Sequence, residues 1–425
     1  MHAATESTFI PDLWGMSIGV SQKKPNLDLL SIQLSVNMET TVVVEGQAKI
    51  EVPEPKSFQT VAGDYAPSLA PVFYNPRMKF SRDISVSALQ VLANEHRGLV
   101  VCDPLAGVGV RGIRYAKEVT GVSRVVINDR SHTAFELIRR NVDLNDISSL
   151  VELKNRDANV LLRESAGEFH FVDLDPFGSP AKFVDSACVA LKPRGMLAVT
   201  ATDTAPLSGV HVRACIRKYG ARPLKTEYHH EIGIRILVGF CQRVAGKHEL
   251  ALIPVLAHAT LHYFRIYLRA QKGAQRADEV LKQQGYVSHC HVCGRRIFTH
   301  GMTPELPSIC ECGGRLSHAG PLWLGEIMDT TFLSKVTADL MKRNFRLKAE
   351  EIALLNRCTE EAGGPPMFYD VHELARRVKT QPPKIAELIS KLQKLGHFAS
   401  RTHFSDTGFR TDADMEEITR IFRSF

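Results

Sequence analysis

Aspartate ends four hydrophobic runs in the first half of this chain: GLVVCD at Asp103, RVVIND at Asp129, VELKNRD at Asp157 and FHFVDLD at Asp175. Each run is followed by a helical pattern. Strands that alternate with helices form parallel sheets, and such sheets bind ligands at the carboxyl ends of their strands. A carboxylate at that edge holds ribose hydroxyls, amino groups or a positive charge. The fourth run continues as Asp175-Pro176-Phe177-Gly178, which joins an acceptor, a rigid turn and an aromatic ring. A turn alone accounts for the proline and glycine. It does not account for the carboxylate and ring beside them, which together suit a flat ring bearing an amine.

The loop after the first strand carries Gly107, Gly109 and Gly112 in the pattern G-x-G-x-x-G at the start of a helix. Glycines there let backbone approach a ligand, and Asp129 follows Gly109 by 20 residues, where a carboxylate meets ribose. Both features fit NAD and S-adenosylmethionine alike. Asp103 would repel a pyrophosphate but attract a cationic, amino-acid-bearing cofactor, and Asp157 suits an adenine amine. Helix capping explains any one such aspartate; four in a row favour S-adenosylmethionine. Methyl transfer to an exocyclic amine requires a lone pair freed from its ring and aimed at the methyl group. A carboxylate accepting the N–H bonds does this, helped by a carbonyl held by proline, while an aromatic neighbour stacks on the base. Asp175, Pro176 and Phe177 supply all three, and resemble the Asp/Asn-Pro-Pro-Tyr/Phe motif of amino-methyltransferases less one proline. A base inside a duplex would have to be flipped out to reach them.

Positioning these residues requires strands at 98–103, 124–129, 151–157, 169–175 and 195–203, with helices between them. A helix is expected from Ser81 as N-cap, and others through Glu118, over 131–145 and over 180–191. IRILVGFCQRV reads equally as helix or strand, whereas LALIPVLAH and FRIYLRA read as strands. In the second of these Arg265, Tyr267 and Arg269 share a face that would meet RNA or water. The sheet then closes near residue 273. Residues 1–37 read as an extension ahead of Met38, 38–273 as the methyltransferase domain, and 274–425 as a smaller domain. The latter contains YDVHELARRVKTQPPKIAELISKLQKLGH, two helical patterns split by Thr-Gln-Pro-Pro, in the manner of a winged helix-turn-helix. The fold class is therefore α/β: a Rossmann-like class I S-adenosylmethionine methyltransferase domain plus an α+β C-terminal domain with a zinc site and a winged-helix-like part.

The zinc expectation comes from four of the nine cysteines, Cys290-x-x-Cys293 and Cys310-x-Cys312, with glycines at 294, 313 and 314. Four soft ligands in two close pairs suit tetrahedral, structural zinc; free thiols are the alternative. His289, His291 and His300 lie near them and are expected to be exposed. Lys plus Arg exceed Asp plus Glu by 53 to 46, a net +7, compatible with a polyanionic partner. Arg376, Arg377, Lys379, Lys384, Lys391 and Lys394 on the C-terminal helices read as phosphate contacts or as a solvated face. No apolar run reaches membrane-span length and no secretory leader is legible, so a cytoplasmic location with no membrane partner is expected.

Beyond single motifs, the chain resembles the Trm-one family, the tRNA guanine-26 N2-dimethyltransferases. The resemblance rests on EGQAKI, VFYNPRMKFSRD, DPLAGVGVRGIRYAKE, VINDRS, FVDLDPFGSP, VTATDTAPLSG, the cysteine cluster with GPLWLG, and FSDTGFRTDA, in that order from about Met38 to the C-terminus. It implies that Arg82 and Arg111 contact S-adenosylmethionine, Asp129 its ribose, and Asp157 with Ala158 its adenine. It further implies that Asp175 bonds the guanine amine, that Phe177 and Phe73 sandwich the base, that Asp83 serves the substrate, and that the partner of a monomeric enzyme is tRNA. Without it, Arg82 and Asp83 would read as a surface pair, and Phe73 and Tyr74 as core aromatics. Alternatives are methylation of another base amine, such as adenine N6, a non-catalytic RNA-binding protein on the same fold, and an NAD-dependent oxidoreductase.

Overall fold

A seven-stranded sheet, built from runs rich in Val, Ile and Leu, organises the first two-thirds of the chain. The computed structural model describes residues 38–59 and 67–425, so the extension expected at 1–37 lies outside the described residues. A hairpin, β1 (Thr40–Glu45) and β2 (Ala48–Pro53), precedes helix α1 (Lys79–Ala93). Then follow β3 (Leu99–Asp103), α2 (Val110–Glu118), β4 (Val122–Asn128), α3 (His132–Leu144), β5 (Val151–Lys154), α4 (Ala158–Glu164), β6 (Phe169–Leu174), α5 (Val184–Ala190) and β7 (Leu191–Ala201). Helices α6 (Val212–Tyr219) and α7 (His229–Gly246) lead into β8 (Leu250–Thr260) and β9 (Tyr263–Lys272). The order across the sheet is β5-β4-β3-β6-β7-β9-β8.

The first five strands are parallel, but β9 runs antiparallel to both β7 and β8, so the sheet is mixed rather than wholly parallel. The reason is the Leu261-His262 turn: a two-residue link joins only antiparallel neighbours, whereas a parallel return needs a crossover helix. IRILVGFCQRV resolves as part of helix α7, which is buried on nearly every side. A helix without a polar face has no periodicity to distinguish it from a buried strand. Helix α1 begins two residues before Ser81, after a 3-10 turn at Pro76–Met78 that Asn75 caps. Ser81 is thus inside the helix and fully buried rather than capping it.

After α8 (Ala274–Lys282), a three-stranded sheet of β10 (Gln284–Cys290), β11 (Arg296–His300) and β12 (Leu316–Trp323) carries the cysteines, with β10 central. Helices α9 (Thr330–Lys342) and α10 (Lys348–Glu361) come next. The last part holds β13 (Tyr369–Asp370), α11 (Val371–Val378), α12 (Ile385–Lys394), β14 (Ala399–Arg401), β15 (Gly408–Thr411) and α13 (Met415–Phe422). It has its own apolar core, in which Leu374, Leu388, Leu392, Phe409, Ile418 and Phe422 meet. Asp370 caps α11, and α11 stops at Lys379, whose left-handed backbone precedes the Pro382-Pro383 pair. No helix among the described residues is long and apolar enough to cross a membrane.

A buried ion cluster fastens the hairpin and the later helices to α1 and α2. Glu45 of β1 accepts from Arg82 Nε at 2.5 Å and Nη2 at 2.7 Å, and from Arg114 Nη1 at 3.0 Å. Arg114 also pairs with Asp83 at 2.6 Å and with Glu118 at 2.7 Å. Glu351 of α10, fully buried, faces Asp83, and no hydrogen-bond donor among the described residues reaches either of its oxygens. Burial, and then the charge of Asp83, raise its pKa well above the usual carboxylate range. The folded protein therefore holds a proton there that the unfolded chain gives up near pH 4–5, and stability from this site falls as pH rises through the window above that. The expected slope is at most about 1.4 kcal/mol per pH unit. Glu351→Gln, which keeps a donor toward Asp83 without a titrating proton, should flatten it; urea unfolding at pH 6 and pH 8 measures both slopes, and equal slopes would refute the assignment.

Candidate functional site

The strand order reverses between β3 and β6, which opens a crevice at their carboxyl ends. A cavity of about 720 Å³ lies there, lined among others by Phe73, Asp103, Gly107, Asp129, Asp157 and Asp175. The four strand-end aspartates converge on it, as their positions in sequence predict. Asp103 Oδ2 accepts the Gly112 amide at 3.0 Å, while its buried Oδ1 has no donor among the described residues. Burial first, and then the charge of Asp173, raise the Asp103 pKa to about 7. A buried carboxylate oxygen with no partner, at the N-terminal end of α2, is suited to a cationic ligand. Asp129 accepts the Gly107 amide at 2.9 Å and the Ser131 amide at 2.9 Å. Asp157 caps α4 through the Asn159 amide at 2.9 Å, so the capping reading holds for it, yet Asp157 and Ala158 both line the cavity.

At the other end of the cavity, Asp175, Pro176 and Phe177 leave β6. Phe177 is 74% exposed and Phe73 39% exposed, their ring centroids 5.7 Å apart at 62°. Two large rings left in water at a cavity rim have no packing role and suit a planar ligand. Below them the loop is pinned: Thr202 Oγ1 accepts the Gly178 amide at 2.7 Å, and the Thr202 amide donates to Gly178 O at 3.1 Å. Thr202, Lys182 and His262 also line the cavity without having been singled out. Thr202 lies in VTATDTAPLSG, a visible signal; His262 comes from the β8–β9 turn, which nothing in the local sequence marks.

Arg111 lies between the two ends. Its Nε donates to Asp175 Oδ2 at 2.6 Å, Nη1 to Ser85 at 3.1 Å and Nη2 to Ser81 at 3.2 Å. Arg82 lines the same cavity, held from behind by Glu45. Asp83 is not brought to the cavity: fully buried, it pairs with Arg114 on the opposite side of α1. Arg82 and Asp83 are therefore not a surface pair, and adjacent helical positions diverge by about 100°. Arg265 and Tyr267 do not face RNA or water either. Both are fully buried, because α1 covers that face of β9. Arg269, on the same face, pairs with Glu95 at 2.6 Å.

The four cysteine sulfurs lie within 4.8 Å of one another, with Cys290–Cys312 at 3.5 Å and Cys293–Cys310 at 3.6 Å. A tetrahedron of four metal–sulfur bonds of about 2.3 Å has edges of about 3.8 Å, so the thiols fit a soft tetrahedral cation. Left-handed Gly294 and Gly313 close the two ligand turns by donating to Cys290 O and Cys310 O, each at 2.8 Å. His289, expected to be exposed, is instead fully buried against Tyr228, whose hydroxyl lies 2.8 Å from its Nδ1. Its alternation on β10 turns it away from solvent, and burial lowers its pKa to about 3. Cys358, Glu361 and His403 form another close group, but Arg410 and Thr402 occupy Glu361, which makes it a hydrogen-bonded knot.

Comparison with known proteins agrees with this geometry. The family model for N2,N2-dimethylguanosine tRNA methyltransferase matches residues 46–423. The tRNA (guanine(26)-N(2))-dimethyltransferase of Methanosphaera stadtmanae is 41% identical over 387 residues, covering 90% of this chain and 97% of the relative. That of Pyrococcus horikoshii is 41% identical over 395 residues, again covering 90% and 97%. The solved structure of Trm1 from Pyrococcus horikoshii with S-adenosyl-L-methionine superposes with a TM-score of 0.80 at 38% identity, covering 90% of this chain and 99% of that one.

The rim is tightly built at one point that can be tested directly. Gly107 has φ +57°, and a Cβ there would lie 2.7 Å from the Phe73 carbonyl oxygen. Gly107→Ala should destabilise the protein by at least about 1–2 kcal/mol from the left-handed backbone alone. The close contact adds to this and shifts Phe73. A lower denaturation midpoint checks it; an unchanged midpoint would contradict the packing described.

Proposed function

The chain belongs to the N2,N2-dimethylguanosine tRNA methyltransferase family, and we propose how its own residues carry that activity. It is an S-adenosylmethionine-dependent enzyme that methylates the exocyclic N2 amine of guanine 26 in tRNA. The cofactor supplies a methyl group activated on a positively charged sulfur. Asp103, at the positive end of α2, offers its unpartnered oxygen to the cofactor's cationic groups. Asp129, braced by two backbone amides, takes the ribose hydroxyls; Asp157 and Ala158 meet the adenine; Gly107 lets the backbone come close; Arg82 and Arg111 close the cofactor side.

The substrate end follows from Asp175. Arg111 occupies one of its oxygens, which leaves Oδ1 to accept an N–H of the guanine amine. That bond, with the Pro176 carbonyl, turns the nitrogen lone pair toward the methyl group. Phe177 and Phe73 stack on the two faces of the extruded base. The single observation that carries this reading is a carboxylate held by a guanidinium in the cavity that two exposed rings also line. The adenine N6 and non-catalytic readings have no comparable support, since the relatives are named as guanine-26 enzymes.

Residues 38–273 form the methyltransferase domain in this reading, and 274–425 a zinc-containing, tRNA-binding part with a winged-helix arrangement of α11, α12 and the β13–β15 strands. Several of the basic residues there are already paired: Arg376 with Glu373, Lys384 with Glu387, and Arg377 with the His291 carbonyl. Lys379 and Lys394, without ion pairs among the described residues, are the better candidates for phosphate. Zinc held by Cys290, Cys293, Cys310 and Cys312 would have four protein ligands and hence a structural role.

Labelled S-adenosylmethionine with an unmodified tRNA transcript should yield N2-methylated guanosine on nucleoside analysis; N6-methyladenosine would sink the reading. Asp175→Ala should lower transfer by about 10²–10⁴-fold while leaving cofactor affinity nearly intact. Equal loss of both would make Asp175 a cofactor ligand. Metal analysis should find about one zinc per chain, lost in Cys290→Ser, and chelation should weaken tRNA binding before it affects cofactor binding. A zinc content near zero in native protein removes that assignment.

A further inference from the structure

Asp173, two residues before Asp175 on β6, is fully buried and does not line the cavity. Arg265 grips it with two bonds, Nη1 to Oδ1 at 2.6 Å and Nη2 to Oδ2 at 2.9 Å. The Tyr115 hydroxyl donates to the same Oδ2, and the Arg111 guanidinium stands 3.6 Å from it. Burial opposes ionisation of Asp173, but the charges of Arg265 and Arg111 outweigh it and lower its pKa. Arg265 is further fixed by Thr200 at 2.9 Å, by Ser85 at 3.1 Å and by the Tyr267 ring, 4.8 Å from its guanidinium carbon. The Ser85 hydroxyl lies 2.7 Å from Ser81 O and 2.8 Å from the Tyr267 hydroxyl, and its oxygen accepts from Arg265 and Arg111. Tyr115 and Arg265 reach Arg111 through Asp173, and Arg265 reaches it again through Ser85.

We propose that Arg265, Asp173 and Tyr115 are positioning residues that hold the Arg111 guanidinium, and through it the Asp175 carboxylate, in the orientation the transfer requires. None of the three touches the cavity. The inference rests on the catalytic reading of Asp175 given above. Its physical basis is the cost of the arrangement: each buried charge forfeits several kcal/mol of hydration, and an apolar core of the same volume would be at least as stable. What the ions provide is direction. Arg111 and Tyr115 lie one turn apart on α2, and Ser81 and Ser85 one turn apart on α1, so two helix faces and two strands, β6 and β9, fix one guanidinium plane. Displacing a reacting group by about 1 Å costs on the order of 10²-fold in rate, which sets the size of the effect. Removal of Asp173 would also leave Arg111 and Arg265 facing each other without a shared carboxylate.

Steady-state kinetics on the full-length chain, with tRNA and S-adenosylmethionine, test this. Arg265→Met should lower kcat by about 10–100-fold while both KM values stay within about threefold, and Arg265→Lys should recover part of the loss. Tyr115→Phe, which removes one hydroxyl and keeps the ring against Phe171, should lower kcat by about 3–10-fold with an unchanged melting temperature. A merely structural role would not give a loss confined to kcat with an unchanged melting temperature. If Arg265→Met does not fold, Tyr115→Phe and Arg265→Lys decide. Wild-type kcat in both, or a loss confined to KM, would overturn the inference while leaving the function standing. A wild-type enzyme that forms no N2-methylated guanosine overturns the underlying reading instead.

Discussion

Two guanidinium groups, those of Arg111 and Arg265, share the buried carboxylate of Asp173, and the cavity end of the sheet is arranged around that sharing. A sheet edge that presents aspartates at 103, 129, 157 and 175 to one cavity gathers negative charge there. Arg111 holds Asp175 in place, Asp173 holds Arg111, and Arg265 keeps Asp173 charged. Asp103 keeps one buried oxygen with no donor among the described residues, so it is open to a positive charge entering the cavity.

A second buried cluster works at the rear of the same helices. Glu45, Arg82, Asp83, Arg114, Glu118 and Glu351 bring the β1–β2 hairpin and α10 against α1 and α2. Arg82 belongs to both regions: its back is held by Glu45 while its edge lines the cavity. The division of labour within Arg82-Asp83 follows from helical geometry, which sends adjacent side chains in different directions. The C-terminal part is similarly tied down, with Arg410 bonded to Glu231 at 3.0 Å and to Glu361 at 2.9 Å. Arg296 stacks between Tyr228 and Tyr369 and so joins the cysteine-bearing sheet to the last domain segment.

The chemistry at strand ends was legible because it is local. A hydrophobic run, an aspartate and a glycine loop occupy consecutive positions, and the parallel sheet brings such positions to one edge whatever the details of packing. Asp175-Pro176-Phe177 and the two cysteine pairs were legible for the same reason. The alternation of FRIYLRA also gave a strand correctly, but not the meaning of its faces. Arg265 and Tyr267 looked like a polar outer face, since a charged residue on alternate positions normally faces water; here α1 lies over them and their partners are Asp173 and Ser85, 92 and 180 residues away in the chain. His289 misled in the same way.

By itself, then, the sequence determined the α/β alternation, the row of acids, the Asp-Pro-Phe stretch at the cavity and the four thiols, because each is written in the periodicity and spacing of neighbouring residues. Tertiary structure decided the antiparallel addition of β8 and β9, the removal of Asp83 from the site, and the partners of Asp173. These depend on which surfaces bury one another. The choice is made by pairing charges and apolar faces across large separations in the chain, and no local pattern records it.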